Sequence, residues 1–245
     1  MQEKYDKVIG RNPVKEALKS GRNINKIFII DAKDEHALQY IIKLAKQRGI
    51  FIQRTDRRKL DNMTQNQNHQ GVVAMCSPVK FASIEDAFDV ARERNEKPFF
   101  VVLDEITDPH NAGAIIRSAY CAGAHAVIIG KRRSALISEG VYKASAGSCE
   151  YMKIVQVANL AQTIDKLKKE GLFAVCLDMQ GEKYYNLDYD MPLLLIVGSE
   201  GAGVGRLIKS KSDFVASIPM KGKLDSLNAS VAAGIVLFEA ARQRG

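Results

Sequence analysis

A chain of 245 residues, 46% apolar and 26% charged, can bury one large core or two ordinary ones. No apolar run approaches the roughly 20 residues of a membrane helix, and MQEKYDKVIG lacks the apolar segment of a secretion signal, so a cytoplasmic protein is expected. The net charge of +8 is uneven: residues 1–80 hold 16 Lys and Arg against 8 Asp and Glu, and residues 81–245 hold 20 of each.

A basic segment ahead of a neutral one is the footprint of a polyanion-binding module. A basic face kept for solubility is the alternative. Cys76, Cys121, Cys149 and Cys176 stand far apart with no C-x-x-C pair, so reduced thiols are expected, with no disulfide framework and no metal site.

In chain order, Asn12-Pro13 reads as a helix start, with Asn as cap, and Gly21 as its stop. Lys26–Ile30 reads as a strand, residues 34–48 as an amphipathic helix closed by Gly49, and Ile50–Ile52 as a second strand. A short basic helix around Arg57–Lys59 and the polar run TQNQNHQ lead to a third strand, Gly71–Met75. The order αβαβαβ implies a small α/β domain over residues 1–76.

Composition shifts at Ser77-Pro78, and Ser83 to Asp86 has the spacing of a capping box opening a helix through Arg94. Residues 77–96 are therefore read as linker and helix, and 97–245 as a second domain. There, strands at 99–103, 126–129, 172–177, 193–197 and 214–218 alternate with helices at 111–122, 159–169 and 228–242. This alternation implies a mostly parallel sheet covered on both faces.

The run Leu193–Val197 ends at Gly198 and is followed by glycines 201, 203 and 205. A second strand ends at Ile218-Pro219, and Ser226-Leu227-Asn228 precedes a helix of small residues. Strand ends with glycine- and serine-rich turns expose backbone groups suited to a small ligand. GSEGAGVG has neither the dinucleotide G-x-G-x-x-G order nor the Gly-Lys-Ser/Thr of a P-loop, so NAD and ATP are not indicated. Ala229, Ser230, Ala232, Ala233 and Gly234 allow another backbone to approach the last helix closely, which an ordinary packed core helix would also use.

The strand 99–104 runs into Asp108-Pro109, a break, then Asn111, read as a helix cap, with Arg117 on the helix that follows. Side chains on a helix lean toward its N-terminus, so Arg117 extends back toward Asn111 and makes a receptor for phosphate. A plain capped helix with Arg117 paired to Asp108 is the alternative. Lys131-Arg132-Arg133 reads as a phosphate contact or a solvated turn, and Tyr184-Tyr185 as a base-stacking pair or a loop anchor.

DPHNAGAIIRSA, IVGSEGAG and IPMKGKLDSLNASVAAGI stand in the order and spacing of three motifs, and the chain from 97 to 245 resembles the SpoU/TrmH class of SPOUT RNA 2′-O-ribose methyltransferases. VIGRNPVKEAL and HQGVVA resemble the N-terminal RNA substrate-binding domain of its ribosomal branch, which methylates a guanosine of bacterial 23S rRNA. The resemblance implies a deep trefoil knot, a homodimer, and S-adenosylmethionine held by backbone groups of the turns Gly198–Gly201, Ile218–Met220 and Ser226–Leu227. It brings RNA as partner, with neither DNA nor membrane.

By the same resemblance, Arg117 serves the RNA phosphate and the attacking 2′-hydroxyl, and Asn111 orients it. Glu200 and Ser226 hold that constellation, Asn228 caps the last helix and Ser230 completes the third motif. Gly198, Gly201, Ile218, Met220, Ser226 and Leu227 form the cofactor site, while Lys221, Lys223 and Arg11 join Arg117 in contacting RNA. Arg117 stays charged at neutral pH, so it reads as a clamp, with phosphate or water accepting the proton and His110 as rival base. Methylation of tRNA or another rRNA site is the second reading, and a non-catalytic ribosome assembly factor the third. The full set of motif residues favours an enzyme.

Overall fold

The computed structural model describes residues 5–31, 36–135, 137–222 and 226–245. Its elements in chain order begin with β1 (Asp6–Ile9), α1 (Arg11–Lys19), β2 (Ile24–Ile30), α2 (Gln39–Gln47), β3 (Phe51–Thr55), α3 (Arg57–Thr64) and β4 (Val72–Cys76). Next come α4 (Ile84–Arg94), β5 (Phe99–Asp104), α5 (Pro109–Cys121), β6 (Ala126–Gly130), α6 (Glu139–Ala144) and β7 (Lys153–Val157). The last are α7 (Leu160–Lys169), β8 (Phe173–Lys183), β9 (Leu193–Gly198), α8 (Arg206–Lys209), β10 (Phe214–Ser217) and α9 (Ala229–Arg244). Two compact units result, Met1–Lys80 with Ile137–Tyr151, and Phe81–Leu136 with Met152–Gly245.

The first unit is a mixed sheet of order β1-β4-β2-β3, in which β2 and β3 are parallel and β4 runs antiparallel to β1 and β2. Its element order is thus βαβαβαβ, because β1, four residues opening on Asp6-Lys7, carries too little periodicity to be read from sequence. Helix α1 is entered through Gly10 at φ 98° and not capped by Asn12, since the left-handed turn there favours a residue without Cβ. Helix α2 begins at Gln39 after a 3₁₀ turn at His36–Leu38; residues 34 and 35 of the expected helix lie outside the described residues.

Residues 137–151, expected within the second domain, pack into this first unit. Arg22 holds them: its guanidinium pairs with Asp6 at 2.9 Å and Glu150 at 2.8 Å, donates to the Ser77 carbonyl and lies 4.7 Å over the Tyr142 ring. Burial pushes the Cys76 and Cys149 thiols up to about 12, the chemistry of inert core sulfur.

The second unit is a parallel six-stranded sheet of order β10-β8-β9-β5-β6-β7. Every residue of β5 and β9 is buried, as expected of central strands covered on both faces. Phe100, Val102, Ile128, Leu194 and Ile196 pack with Ala87 of α4, Ile164 and Leu167 of α7 and Ile208 of α8. Alternation sends Val101, Leu103 and Leu195 to the opposite face, where α5 and α9 pack on one another. No helix among the described residues is long and apolar enough to cross a membrane.

Two departures from the expected elements bear on the site. Strand β8 continues to Lys183, past a register shift in its pairing with β10 between Val215 and Ala216, and a Cβ at Gly181 would lie 2.4 Å from the Val215 carbonyl oxygen. Helix α5 starts at Pro109 with Asp108 as its cap, so Asn111 falls in the first turn. Proline at the first helical position, where no N–H is needed, decides between these two capping candidates.

Candidate active site

The site grows from the adjacent ends of β5 and β9, where Asp104 stands opposite Gly198. Beyond Gly198 the chain folds back, and Ser199 and Gly203 exchange N–H···O bonds of 3.1 and 2.9 Å. A Cβ on Gly198 would sit 2.1 Å from the Gly203 carbonyl carbon, so only glycine permits the fold-back. The loop is then pinned from behind: the Gly205 N–H donates to Asp104 Oδ2 at 2.8 Å. Burial raises the Asp104 carboxyl above its usual range, with the Gly205 bond opposing it.

This loop forms one wall of a cavity. Gly198, Gly201, Ile218, Met220, Ser226 and Leu227, the six residues expected to hold a cofactor, all line it. Sequence reading missed Leu177, Asp178 and Met179 from β8, and Ala216 from β10. They come to the cavity through the irregular β8–β10 pairing, which no local pattern announces. Partial burial would raise the Asp178 carboxyl, but the Gln180 N–H and Lys209, 2.9 Å away, outweigh it and hold it below the carboxylate range. Asp104 was missed too, although an acid ending an otherwise apolar strand was the available signal.

At the mouth, one amide joins the three motifs. Asn228 Nδ2 donates to Asn111 Oδ1 at 2.9 Å and to Glu200 Oε2 at 3.1 Å. Its Oδ1 accepts from the Ser230 N–H at 2.9 Å and hydroxyl at 2.6 Å, capping α9. Asn111 is free for this because Asp108 Oδ1 takes the N–H groups of His110 and Asn111 at 2.5 and 3.0 Å. Helix α9 meets α5 through small residues, with the Ser118 hydroxyl 4.0 Å from where a Gly234 Cβ would be.

Arg117 is exposed on α5, with no hydrogen bond to Asn111 and no ion pair to Asp108 among the described residues. Lys221 is exposed beside Met220, while Lys223 lies outside the described residues. Arg11, in the first unit, donates through Nε to the Gln70 carbonyl at 3.0 Å and through its N–H to Gln70 Oε1 at 2.9 Å. His110 is exposed and engaged only through its backbone among the described residues. Arg133 pairs with Glu105 at 3.0 Å, and Tyr184 meets Tyr185 edge-on at 5.1 Å.

A parallel α/β unit with a glycine-turn cavity at its strand ends, joined to a basic unit, defines a small-molecule-dependent enzyme of polyanions. Comparison with known proteins makes this specific. Residues 98–238 match the SpoU rRNA Methylase family, and residues 7–82 match the domain described as RNA 2'-O ribose methyltransferase substrate binding. The chain belongs to the SpoU/TrmH family and is an S-adenosylmethionine-dependent RNA methyltransferase.

It is 45% identical over 245 residues, covering 100% of this chain and 98% of the relative, to YacO of Bacillus subtilis (strain 168), whose name places it in the TrmH family of tRNA/rRNA methyltransferases. Among solved structures it is similar to the SpoU methyltransferase AviRb from Streptomyces viridochromogenes in complex with AdoMet. That match has TM-score 0.80 and 25% identity, covering 97% of this chain and 90% of the other. It is also similar to the AdoMet-bound rRNA methyltransferase from Sinorhizobium meliloti, with TM-score 0.79, 27% identity, and 97% and 87% covered.

The cavity fits this cofactor on its own chemistry. Leu177, Ala216 and Ile218 offer apolar walls to a heteroaromatic ring, the 198–203 turn offers backbone groups, and Asp178 and Glu200 offer carboxylates to a cationic ligand.

Proposed function

We propose that this chain methylates a ribose 2′-hydroxyl in RNA, with a guanosine of 23S rRNA as the target, in the cytoplasm of a bacterium. The observation that carries the reading is the Asn228 amide, which ties Asn111 of the first motif to Glu200 of the second at the mouth of the cofactor cavity. A protein that only bound RNA would have no use for three motifs converging on one donor.

Bound S-adenosylmethionine supplies a methyl carbon activated by its sulfonium. The task left to the protein is to align the hydroxyl and remove one proton, and positioning is the larger part. Asn111, held by Asn228, orients the ribose. Arg117, exposed and permanently charged, clamps the adjoining phosphate and stabilises the hydroxyl as it loses its proton to phosphate or water. Glu200 and Ser226 hold the arrangement, and Lys221 meets RNA at the rim.

The first unit, with Arg11 and its basic surplus, serves as the RNA-binding domain. A homodimer with a knotted catalytic chain is part of the same reading, and Val231 and Phe238, one heptad apart on α9 and 50% and 52% exposed, support an apolar contact with a second copy. Ribosomal RNA is favoured over tRNA by coverage. The Sinorhizobium meliloti rRNA enzyme aligns with 97% of this chain, whereas the A. aeolicus TrmH/SpoU tRNA modifying enzyme aligns with 65%.

The test is ribose-methylation mapping of 23S rRNA in a strain lacking the protein, restored with wild type or Arg117→Ala. Loss of one 2′-O-methylguanosine, rescued by the wild type alone, is expected. An unchanged 23S map with a changed tRNA map would move the substrate to tRNA, and no change in either would refute the enzymatic reading.

A further inference from the structure

The first unit carries an aromatic ring that its core leaves largely exposed. Strand β3 is an edge of the sheet, and its pairing with β2 sets Lys26 beside Phe51 and Phe28 beside Gln53 on one face. Leu60 and Met63 of α3 cover part of that face and bury Phe28, which is 9% exposed. The cover stops short of Phe51, which is 61% exposed. A large apolar side chain on an open sheet edge invites aggregation, and proteins normally place a polar residue there.

The surroundings of this ring are cationic. Lys26 Nζ lies 5.3 Å from the Phe51 ring centre and 5.5 Å from that of Phe28, and it donates to Gln53 Oε1 at 3.4 Å. Lys59 Nζ lies 5.7 Å from the Phe28 ring. Arg57 and Arg58, exposed at the start of α3, extend the charge. The neighbouring carboxylates are engaged: Asp56 caps α3 through the Lys59 N–H, and Asp61 meets His69 at 3.1 Å and Arg57 at 3.8 Å.

We infer that Phe51 is a stacking platform for an unpaired RNA base, with Lys26 beside the ring and Lys59 over the neighbouring Phe28 to meet the adjoining phosphates. A nucleobase offers a π-face that an aromatic ring accepts regardless of sequence, and phosphates follow the cations. A base inside a duplex is already stacked on both faces and is withheld from the ring. The platform therefore selects single-stranded RNA, such as a loop or bulge near the modified nucleotide. The inference rests on RNA being the substrate, and assigns Phe51 to its recognition.

Binding is measured with the full-length protein and a 20-nucleotide single-stranded RNA carrying 2-aminopurine, and again with that strand annealed to its complement. Phe51→Ala is expected to weaken single-strand binding about tenfold and to abolish quenching of the 2-aminopurine, with duplex and S-adenosylmethionine binding unchanged. Phe51→Tyr should restore both signals, and Phe51→Leu, apolar but without a ring, should restore neither. Equal affinities for wild type, Ala and Leu variants would overturn the inference, as would equal loss on single strand and duplex.

The outcome is separable from the enzymatic reading. Wild-type protein that methylates 23S rRNA while Phe51→Ala binds normally removes only the platform. Tyrosine-rescued binding by a wild type that transfers no methyl group removes only the ribose methylation.

Discussion

Asn228 is bonded at every hydrogen-bonding atom of its amide: two acceptors at its nitrogen and two donors at its oxygen. Asn228→Ala therefore removes a helix cap, costing about 1 kcal/mol of stability, and also the tie between Asn111 and Glu200. Asn228→Asp keeps the cap oxygen but sets a carboxylate against Glu200. The Asp variant should hold the melting temperature close to wild type while kcat collapses, and the Ala variant should lose both. If Asn228→Asp turned over normally, the amide bridge would have no part in catalysis. Asp104 makes the converse case. Its folded pKa is raised by burial, so its stabilising contribution is present at low pH and lost as pH rises through that value, above which the ionised carboxylate is a cost. Asp104→Asn keeps an acceptor for the Gly205 N–H without the charge, and should unfold at equal or higher urea than wild type at pH 7. Asp104→Ala strands that N–H, at about 1–3 kcal/mol, and loosens the cavity wall. Its KM for S-adenosylmethionine should rise while its KM for RNA holds, and an unchanged cofactor KM would show that the loop needs no anchor.

At the scale of elements, β5, β9, α5 and α9 were legible to within two residues, because long apolar runs and helical spacing override local ambiguity. Some of the short pieces were not, although the four-residue β10 was. Strand β1 has four residues and α8 has four, and β7 reads KIVQV, an alternation too brief to separate from a loop. Six residues that line the cavity were named through the family resemblance, with the glycine and serine turns pointing to the same strand ends, whereas Asp178 and Ala216 depend on a register shift between distant strands. The allegiance of residues 137–151 was invisible for the same kind of reason, since it rests on Arg22 meeting Glu150 across 128 positions. With side chains 9% and 6% exposed, that pair is costly to break: Arg22→Leu leaves Glu150 buried and uncompensated, about 3–5 kcal/mol less stable. Hydrogen exchange over 137–151 should accelerate in that variant, and unaltered protection would mean that other contacts hold the segment. His125 sets a pH limit on the second unit. It is 2% exposed, Nδ1 accepts the Phe99 N–H at 3.0 Å, and Nε2 faces Glu96 at 2.9 Å. Burial lowers its pKa despite the pull of Glu96. A depressed value means that the neutral ring's contribution is complete above about pH 6.5 and is lost as pH falls through the folded value. The urea midpoint should therefore drop between pH 7 and 5 in wild type, and drop less in His125→Asn, which offers Phe99 an acceptor that does not titrate.

For the whole molecule, charge and chemistry are divided along the chain: the basic surplus lies in residues 1–80, and the residues lining the cavity all lie within 81–245, a stretch in which the two signs balance. Family membership explains the pairing, since an RNA methyltransferase must hold a polyanion and align one hydroxyl. Deleting residues 1–75 is a poor test of that division, because it would expose the faces of Tyr142 and Glu150 that Arg22 covers in the first unit. Removing charge while leaving the fold intact is cleaner. Arg57 and Arg58 are exposed at the start of α3, and among the described residues Arg57 makes a long 3.8 Å pair with Asp61. Each phosphate released should lower the slope of log affinity against log salt by about 0.7–0.9, so Arg57→Gln with Arg58→Gln should flatten it by roughly 1.4–1.8. In turnover, KM for RNA should rise at physiological salt, while kcat and KM for S-adenosylmethionine stay at wild-type values because the catalytic unit is untouched. A fall in kcat with an unaltered salt slope would place these arginines in the chemistry instead of in the capture of RNA, and the division of labour between the two units would fail.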